Sequence, residues 1–191
     1  ALYRDAVAAL VDARDEKSGK QEAGELLERA ESYLDRSAKR MPLAETQALR
    51  SSVIGMRIGV GSNPMAGMWL GPKASSAMEA ALKLGPRNPR VWLLRGTSAF
   101  NTPKAWGGGE AKAREYLATA VALFAADRPA AAMPAWGAAE AQLWLGRTYL
   151  ALGQRDSARA AYQRARTLDP ENQWLTRVLI PEAERAGAAQ R

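Results

Sequence analysis

Small residues at fixed spacing in the segment 139–172 constrain the fold more than any other feature of the sequence. Gly146 and Ala158 lie among leucine, alanine, glutamine and arginine, which are good helix formers. Small side chains at these places allow two helices to cross closely, with the ring of Tyr162 filling the gap between them. Pro170 ends the second helix because proline lacks an N–H group. The segment therefore predicts a pair of antiparallel helices.

The same segment resembles the tetratricopeptide repeat, a helix pair of 34 residues. Counted from Ala139, it has Leu-Gly at positions seven and eight, Tyr at eleven, Ala at twenty, Tyr at 24, Ala at 27 and Pro at 32. Gln142, at position four where Trp is common, departs from the signature. The resemblance implies stacked helix pairs.

Composition extends the helical prediction to the whole chain. Alanine alone accounts for 40 of the 191 residues, and β-branched runs with the alternation of a strand are nearly absent. Glycine and proline divide the sequence into segments, and Ser18 with Gln21 resembles a capping box before the second of them. The predicted helices span residues 2–14, 20–40, 43–59, 73–84, 90–101, 110–126, 136–152, 155–168 and 172–187.

A second copy of the repeat begins at Pro89. It has Trp92 at position four and Gly96 at position eight, and its internal turn is five residues longer than usual. With this insertion, positions twenty, 24 and 27 are Ala113, Leu117 and Ala120. A weaker copy, recognisable in its second half only, lies at 74–86.

The inserted turn, PKAWGG at 103–108, has the form Pro-x-x-x-Gly-Gly. With this turn, residues 50–187 resemble a divergent group of bacterial tetratricopeptide-repeat proteins that are often exported. The resemblance implies an all-α, right-handed α-solenoid of about 3 to 4 repeats with a C-terminal capping helix. We expect one helical domain, 1–191, organised as divergent N-terminal helices (1–60), repeats (61–172) and a capping helix with a tail (173–191).

Composition excludes much of enzyme chemistry. The chain has neither cysteine nor histidine, which rules out disulfides, zinc fingers, thiol nucleophiles and Ser-His-Asp triads. Gly107–Gly109 lacks the following Lys-Ser or Lys-Thr of a phosphate-binding loop. A row of glutamates at 22–31 is interleaved with arginine, as on a solvated helix face. We predict no enzymatic activity, no cofactor and no metal site.

The net charge of +7 is concentrated in residues 51–100, which carry six basic residues and one acidic residue. They form no Lys/Arg run and accompany no aromatic RNA-binding motif, so we do not predict nucleic-acid binding. A solvated basic face, or a preference for acidic proteins or anionic lipid, stays open. No apolar run is long enough for a membrane span.

Because the sequence begins with Ala rather than Met, we expect that a signal peptide, a lipoprotein leader or another N-terminal piece is missing. We expect a periplasmic or lipoprotein-anchored envelope protein, with a cytoplasmic location as the alternative.

The resemblance also predicts a binding surface. In tetratricopeptide arrays the first helices line a concave groove with positions two, five, nine and twelve. These positions are Arg90, Leu93, Thr97 and Phe100 in one repeat and Glu140, Leu143, Arg147 and Leu150 in the next, with Trp144 at position six. Such a mixture of apolar and charged residues suits a peptide, although packing on an adjacent helix would use the same residues. Leucine at both positions five argues against the Lys/Asn clamp by which some relatives hold a C-terminal carboxylate.

We therefore predict a non-catalytic adaptor that binds a peptide or helix of another protein. The alternative is an envelope accessory protein of a transporter or enzyme that binds a small apolar or anionic ligand. It rests on Trp69, Trp106 and the glycine-rich turns. We expect Trp106 to pack against neighbouring helices, whereas Trp69 either covers the core or stands exposed. The identity of the partner and the oligomeric state do not follow from the sequence.

Overall fold

The computed structural model describes residues 15–63, 65–129 and 135–188, together with Asp5. These residues form helices and turns without a β-strand, which confirms the predicted all-α class of tetratricopeptide type. The predicted helix 2–14 falls outside the described residues apart from Asp5. The chain divides into two compact units, 1–86 and 87–191. The predicted division at residues 60 and 172 stays a prediction.

Unit 1 contains three described helices, α1 (Glu16–Arg40), α2 (Ala44–Val60) and α3 (Ala66–Leu84). Helix α2 packs against both α1 and α3. Leu27 of α1 and Val53 of α2 are buried together in the core between these two helices.

Two helix starts in unit 1 differ from the prediction. Helix α1 is capped by Asp15, whose Oδ1 accepts a hydrogen bond from the amide of Ser18 at 2.8 Å, so Ser18 is not the cap. Helix α3 begins at Ala66 and runs through Pro72, whereas we predicted a start at residue 73. Ala66 is buried, and Pro72 lies inside the helix rather than at its start.

Unit 2 contains two helix pairs and a C-terminal helical segment. The first pair is α4 (Pro89–Asn101) with α5 (Glu110–Ala125), and the second is α6 (Ala138–Ala151) with α7 (Arg155–Leu168). The second pair packs against α5, and α8 (Ile180–Ala188) packs against α7. The bounds of the two pairs agree with the predicted helices within about two residues at each end, whereas the predicted helix 172–187 contains the π-helical turn Leu175–Leu179 before α8.

The two pairs are built alike. In the second pair, a Cβ added at Gly146 would lie 2.4 Å from Cε1 of Tyr162, and in the first pair a Cβ at Gly96 would lie 2.5 Å from Cγ of Leu117. Position eight therefore touches position 24 in both repeats. The alanines at positions twenty and 27 are buried in each of them. The predicted close crossing of the helices is confirmed.

The inserted turn is held by backbone hydrogen bonds. Its 3₁₀ helix, Lys104–Trp106, ends at Gly107, whose φ of 87° favours glycine. The amide of Gly109 donates to the carbonyl oxygen of Ala99 at 2.8 Å. Trp106 is 65% exposed, so the prediction that it packs against neighbouring helices was wrong. The turn closes through its own backbone and does not need this ring.

The C-terminal segment contains one wide turn of π-helix, Leu175–Leu179, before α8. The amide of Ile180 donates to the carbonyl oxygen of Leu175, five residues earlier. Leu175, Leu179 and Ala183 face the second helix pair and are buried with Leu143 and Tyr162. This segment covers the end of the second repeat, as predicted for a capping helix.

Candidate functional site

The candidate site is a set of three aromatic rings around one guanidinium group in unit 2, here called the aromatic–arginine cluster. Its members are Phe100, Trp144, Arg147 and Trp174. Phe100 lies in the last turn of α4, Trp144 and Arg147 lie one turn apart on α6, and Trp174 precedes the π-helical turn. Two repeats and the C-terminal segment therefore each contribute side chains to it.

Ring contacts hold the cluster together. The centroids of Phe100 and Trp144 are 5.6 Å apart and those of Trp144 and Trp174 are 6.2 Å apart, both in edge-on arrangements. The Cζ of Arg147 lies 4.6 Å from the ring centroid of Trp144, 5.2 Å from that of Phe100 and 5.1 Å from that of Trp174. These distances are within the range of cation–π interactions.

Arg147 sits in a partly desolvated place. Burial lowers its pKa, while the nearby Tyr162 and Glu182 oppose this shift. Among the residues that the structure describes, none accepts a hydrogen bond from the guanidinium group or forms a salt bridge with it. Interaction with a ring face does not use the five N–H donors of arginine in ordinary hydrogen bonds. The group is therefore able to bind an anion.

Tyr162 lies beneath the cluster, with its ring against Gly146. Its side chain is 1% exposed, and its hydroxyl has no hydrogen-bond partner within the described part of the chain. Burial raises the pKa of Tyr162 to about 12, with a smaller opposing effect from Arg147. The cluster thus rests on a buried phenol that stays protonated at neutral pH.

Three of the predicted groove residues do not face an open surface. Leu93 and Leu143, both at position five, are buried in separate cores of unit 2. Arg90 is 4% exposed and forms a 3.0 Å ion pair with Asp127. The interpretation of these three as ligand-contacting residues needs correction. Position five packs against the following repeat or the C-terminal segment, and Arg90 is held by the chain that follows α5.

The other predicted residues lie nearer the surface. Phe100, Trp144 and Arg147 come together in the cluster, as described above. Thr97 is half-buried, and its hydroxyl donates to the carbonyl oxygen of Leu94 at 3.0 Å. Glu140 is exposed, whereas Leu150 packs at the edge of the core beneath the cluster.

Trp174 is a residue of the cluster that is not among the predicted groove residues. The signal was present, because Trp174 falls at position two when the 34-residue count from Ala139 is continued by one repeat. The predicted groove positions come from two repeats only, and the C-terminal segment is not one of them. The structure shows that it both caps the second pair and completes the cluster.

The two other tryptophans considered as ligand contacts are exposed. Trp69 in unit 1 is more than half exposed near Met65 and Met68, and Trp106 is on the inserted turn. Neither of them has a guanidinium group over its ring in the described contacts.

Acidic residues of the described chain do not form a metal-binding group. Two glutamates of the row considered above, Glu28 and Glu31, both pair with Arg57 of α2. No described helix has both the length and the hydropathy that a membrane crossing requires.

Comparisons with known proteins agree with this architecture. The family model for the tetratricopeptide repeat matches residues 139–172, the second helix pair with its flanks. Residues 139–172 are thus a helix pair of tetratricopeptide-repeat type. Among solved structures, it is similar to the HusA haemophore from Porphyromonas gingivalis, with a TM-score of 0.60 and 28% sequence identity over 78% of this chain and 74% of that chain. A search of curated proteins found no match.

Proposed function

We propose that this protein is a non-catalytic adaptor that binds a peptide or helix of another protein on the aromatic–arginine cluster. The observation that carries the proposal is the position of the cluster, which joins the first helices of two repeats to the C-terminal segment. Tryptophan and arginine are the residues that most often dominate binding energy at protein interfaces. Trp174 is 42% exposed and is therefore accessible to a partner.

The repeat itself supports a protein partner, because tetratricopeptide repeats are typical of protein-interaction modules. The proposal includes a place in the bacterial cell envelope, supported by the Pro-x-x-x-Gly-Gly turn and by the similarity to a haemophore. Fractionation of the native cells tests this part, and recovery of the protein from the cytoplasm alone would refute it.

The adaptor proposal is tested with three immobilised proteins: the wild type, Trp174→Ala and Trp106→Ala. The two variants each remove one exposed indole, but Trp106 lies outside the cluster. The probes are peptides selected from a random library and proteins of the native cell. We expect both to be retained by the wild type and by Trp106→Ala, but not by Trp174→Ala. Equal retention by all three proteins would place binding elsewhere, and no retention on any of them would refute the adaptor function.

A second candidate function is binding of a small, flat, anionic ligand of the porphyrin class. The similarity to the HusA haemophore favours it, and the cluster offers ring faces for stacking and a guanidinium group for a carboxylate. Because the chain lacks histidine and cysteine, neither of these residues can coordinate a haem iron. Stacking and Arg147 would therefore carry much of the recognition.

This candidate is tested by titrating the protein with haemin and with iron-free protoporphyrin, followed by absorbance and tryptophan quenching. Binding through stacking and Arg147 predicts similar affinities for the two compounds and weaker binding to Arg147→Gln. Failure of both compounds to bind would exclude the porphyrin class. Affinity for haemin alone would instead indicate iron coordination by another side chain.

A further inference from the structure

We propose that Arg147 binds a carboxylate on an acidic side chain of the partner, while an apolar side chain beside it covers Trp144 and Trp174. This inference rests on the adaptor function proposed above and names the chemistry that the site recognises. It concerns an Asp or Glu within a peptide segment next to an aliphatic or aromatic residue.

The N–H groups of Arg147 have no acceptor among the described residues, and the half-buried side chain still reaches solvent. Its guanidinium group is bounded by three rings, none of which offers an oxygen, and no other described residue accepts its N–H groups. Arginine presents pairs of N–H donors that match the two oxygens of a carboxylate. An incoming carboxylate would supply the acceptors that the protein itself does not.

The site around Arg147 is partly desolvated. Burial lowers the pKa of Arg147, which means that its surroundings stabilise the charge less well than water does. The rings replace part of the lost hydration of the Arg147 charge, and a bound anion would stabilise this charge further. Charge-assisted hydrogen bonds are stronger where water is partly excluded.

Two oxygen-bearing side chains, Glu182 and Tyr162, act electrostatically on the guanidinium group of Arg147. Glu182 of α8 acts on Arg147 electrostatically, yet its exposed side chain forms no ion pair with it among the described residues. The buried hydroxyl of Tyr162 also lacks a partner there. Glu182 therefore reduces the positive potential that a ligand meets without occupying the donors of Arg147.

The apolar part of the ligand follows from the rings. Trp144 is half-buried and Trp174 is 42% exposed, and they meet edge-on at 6.2 Å. An apolar side chain placed over this pair would remove indole surface from water, which favours binding. An acidic residue alone would leave this surface uncovered.

The test starts with short random peptides displayed on phage and selected on the immobilised full chain. The tightest binder is synthesised with each of its acidic residues changed to the amide, and affinities are measured by tryptophan quenching or calorimetry. We expect one such change to weaken binding roughly tenfold to hundredfold, as for the loss of a hydrogen bond to a charged group. Arg147→Gln should weaken the original peptide to the same degree.

Two further variants separate recognition from a merely structural role. The Arg147→Gln variant should bind the amide form of the peptide as tightly as the original peptide. The guanidinium group and the peptide carboxylate form one interaction, so removal of the second partner has no further effect. Glu182→Gln should tighten binding about twofold to fivefold by removing a competing charge. Arg164→Gln, which removes an exposed positive charge on α7, is the control and should change affinity little.

Selected peptides that lack an essential acidic residue, or that bind Arg147→Gln unchanged, would overturn the carboxylate inference and leave the adaptor function standing. Selection of no peptide at all would refute the adaptor function and with it this inference. Thermal unfolding of every variant, followed by circular dichroism, shows that lost binding does not result from lost folding.

Discussion

Replacement of Gly146 by alanine tests the packing on which the second repeat depends. In an isolated helix this change is stabilising by about 1 kcal/mol, because alanine has the higher helix propensity. In this protein the added Cβ would lie 2.4 Å from Cε1 and 2.5 Å from Cδ1 of Tyr162. Carbon atoms in contact prefer about 3.5 to 4.0 Å, so the ring would have to move by roughly 1 Å or more.

The surroundings of Tyr162 leave no room for that movement. The ring is 1% exposed and is enclosed by Leu143, Ala165, Leu175 and Leu179. Overpacking of such a core costs about 1 to 3 kcal/mol. After subtraction of the gain of about 1 kcal/mol in helix propensity, we expect Gly146→Ala to lower the free energy of unfolding by up to about 2 kcal/mol and not to raise it.

The assay is unfolding in guanidinium chloride followed by tryptophan fluorescence, since five of the six tryptophans lie in unit 2. Gly55→Ala is the control, because Gly55 lies within α2 and a Cβ there would meet nothing within 4 Å. Circular dichroism should show that this control is stabilised by about 0.5 to 1 kcal/mol. If Gly146→Ala were stabilised as much as the control, the close approach of the two helices would be refuted.

Three other substitutions probe single side chains of unit 2. Tyr162→Phe should leave stability at neutral pH unchanged or raise it by about 1 kcal/mol, because the buried hydroxyl has no described partner. The folded-state pKa of Tyr162, about 12, exceeds its ordinary value of 10.0, so the native state holds this proton more tightly. The free energy of unfolding of the wild type should therefore fall by about 2 to 3 kcal/mol between pH 10 and 12, and that of Tyr162→Phe should fall by that much less. Parallel curves of unfolding free energy against pH for the two proteins would show that Tyr162 is not the group responsible. Asp127→Asn should cost about 1.5 to 3 kcal/mol in denaturant unfolding because it removes the charge from the 3.0 Å ion pair with Arg90, which is 4% exposed, and a loss below about 1 kcal/mol would contradict that role. Asn88→Ala should cost about 1 kcal/mol by removing the 2.9 Å hydrogen bond that caps α4, and an unchanged unfolding midpoint would argue against the cap.

Helix limits were predicted well in unit 2 and less well in unit 1. Proline and glycine lie at the ends of α4, α6 and α7, where local backbone preferences and packing agree. In α3 they disagree. Its first turns contain Gly71 and Pro72, yet the helix begins at Ala66, which is buried in unit 1. A pattern of breaker residues does not reveal such burial.

The candidate site was predicted only in part, because exposure depends on segments that lie far apart in the sequence. Its position in the repeat predicts Leu143 as a groove residue. In the structure Leu143 is buried with Leu175 and Leu179 of the C-terminal segment. Arg90 looked like a charged groove residue, but Asp127 pairs with it from beyond α5. The position of a residue within a repeat does not predict which later segment of the chain packs against it.

The sequence by itself determined the helix pairs of unit 2. Gly96 packs against Leu117 and Gly146 packs against Tyr162, and the two residues of each contact lie close together in the sequence. The small glycines allow the two connected helices to cross closely at these points. Tertiary structure alone decided the binding surface. Trp174 lies beside Arg147 because of where the C-terminal segment packs. That position depends on the burial of side chains from several helices together.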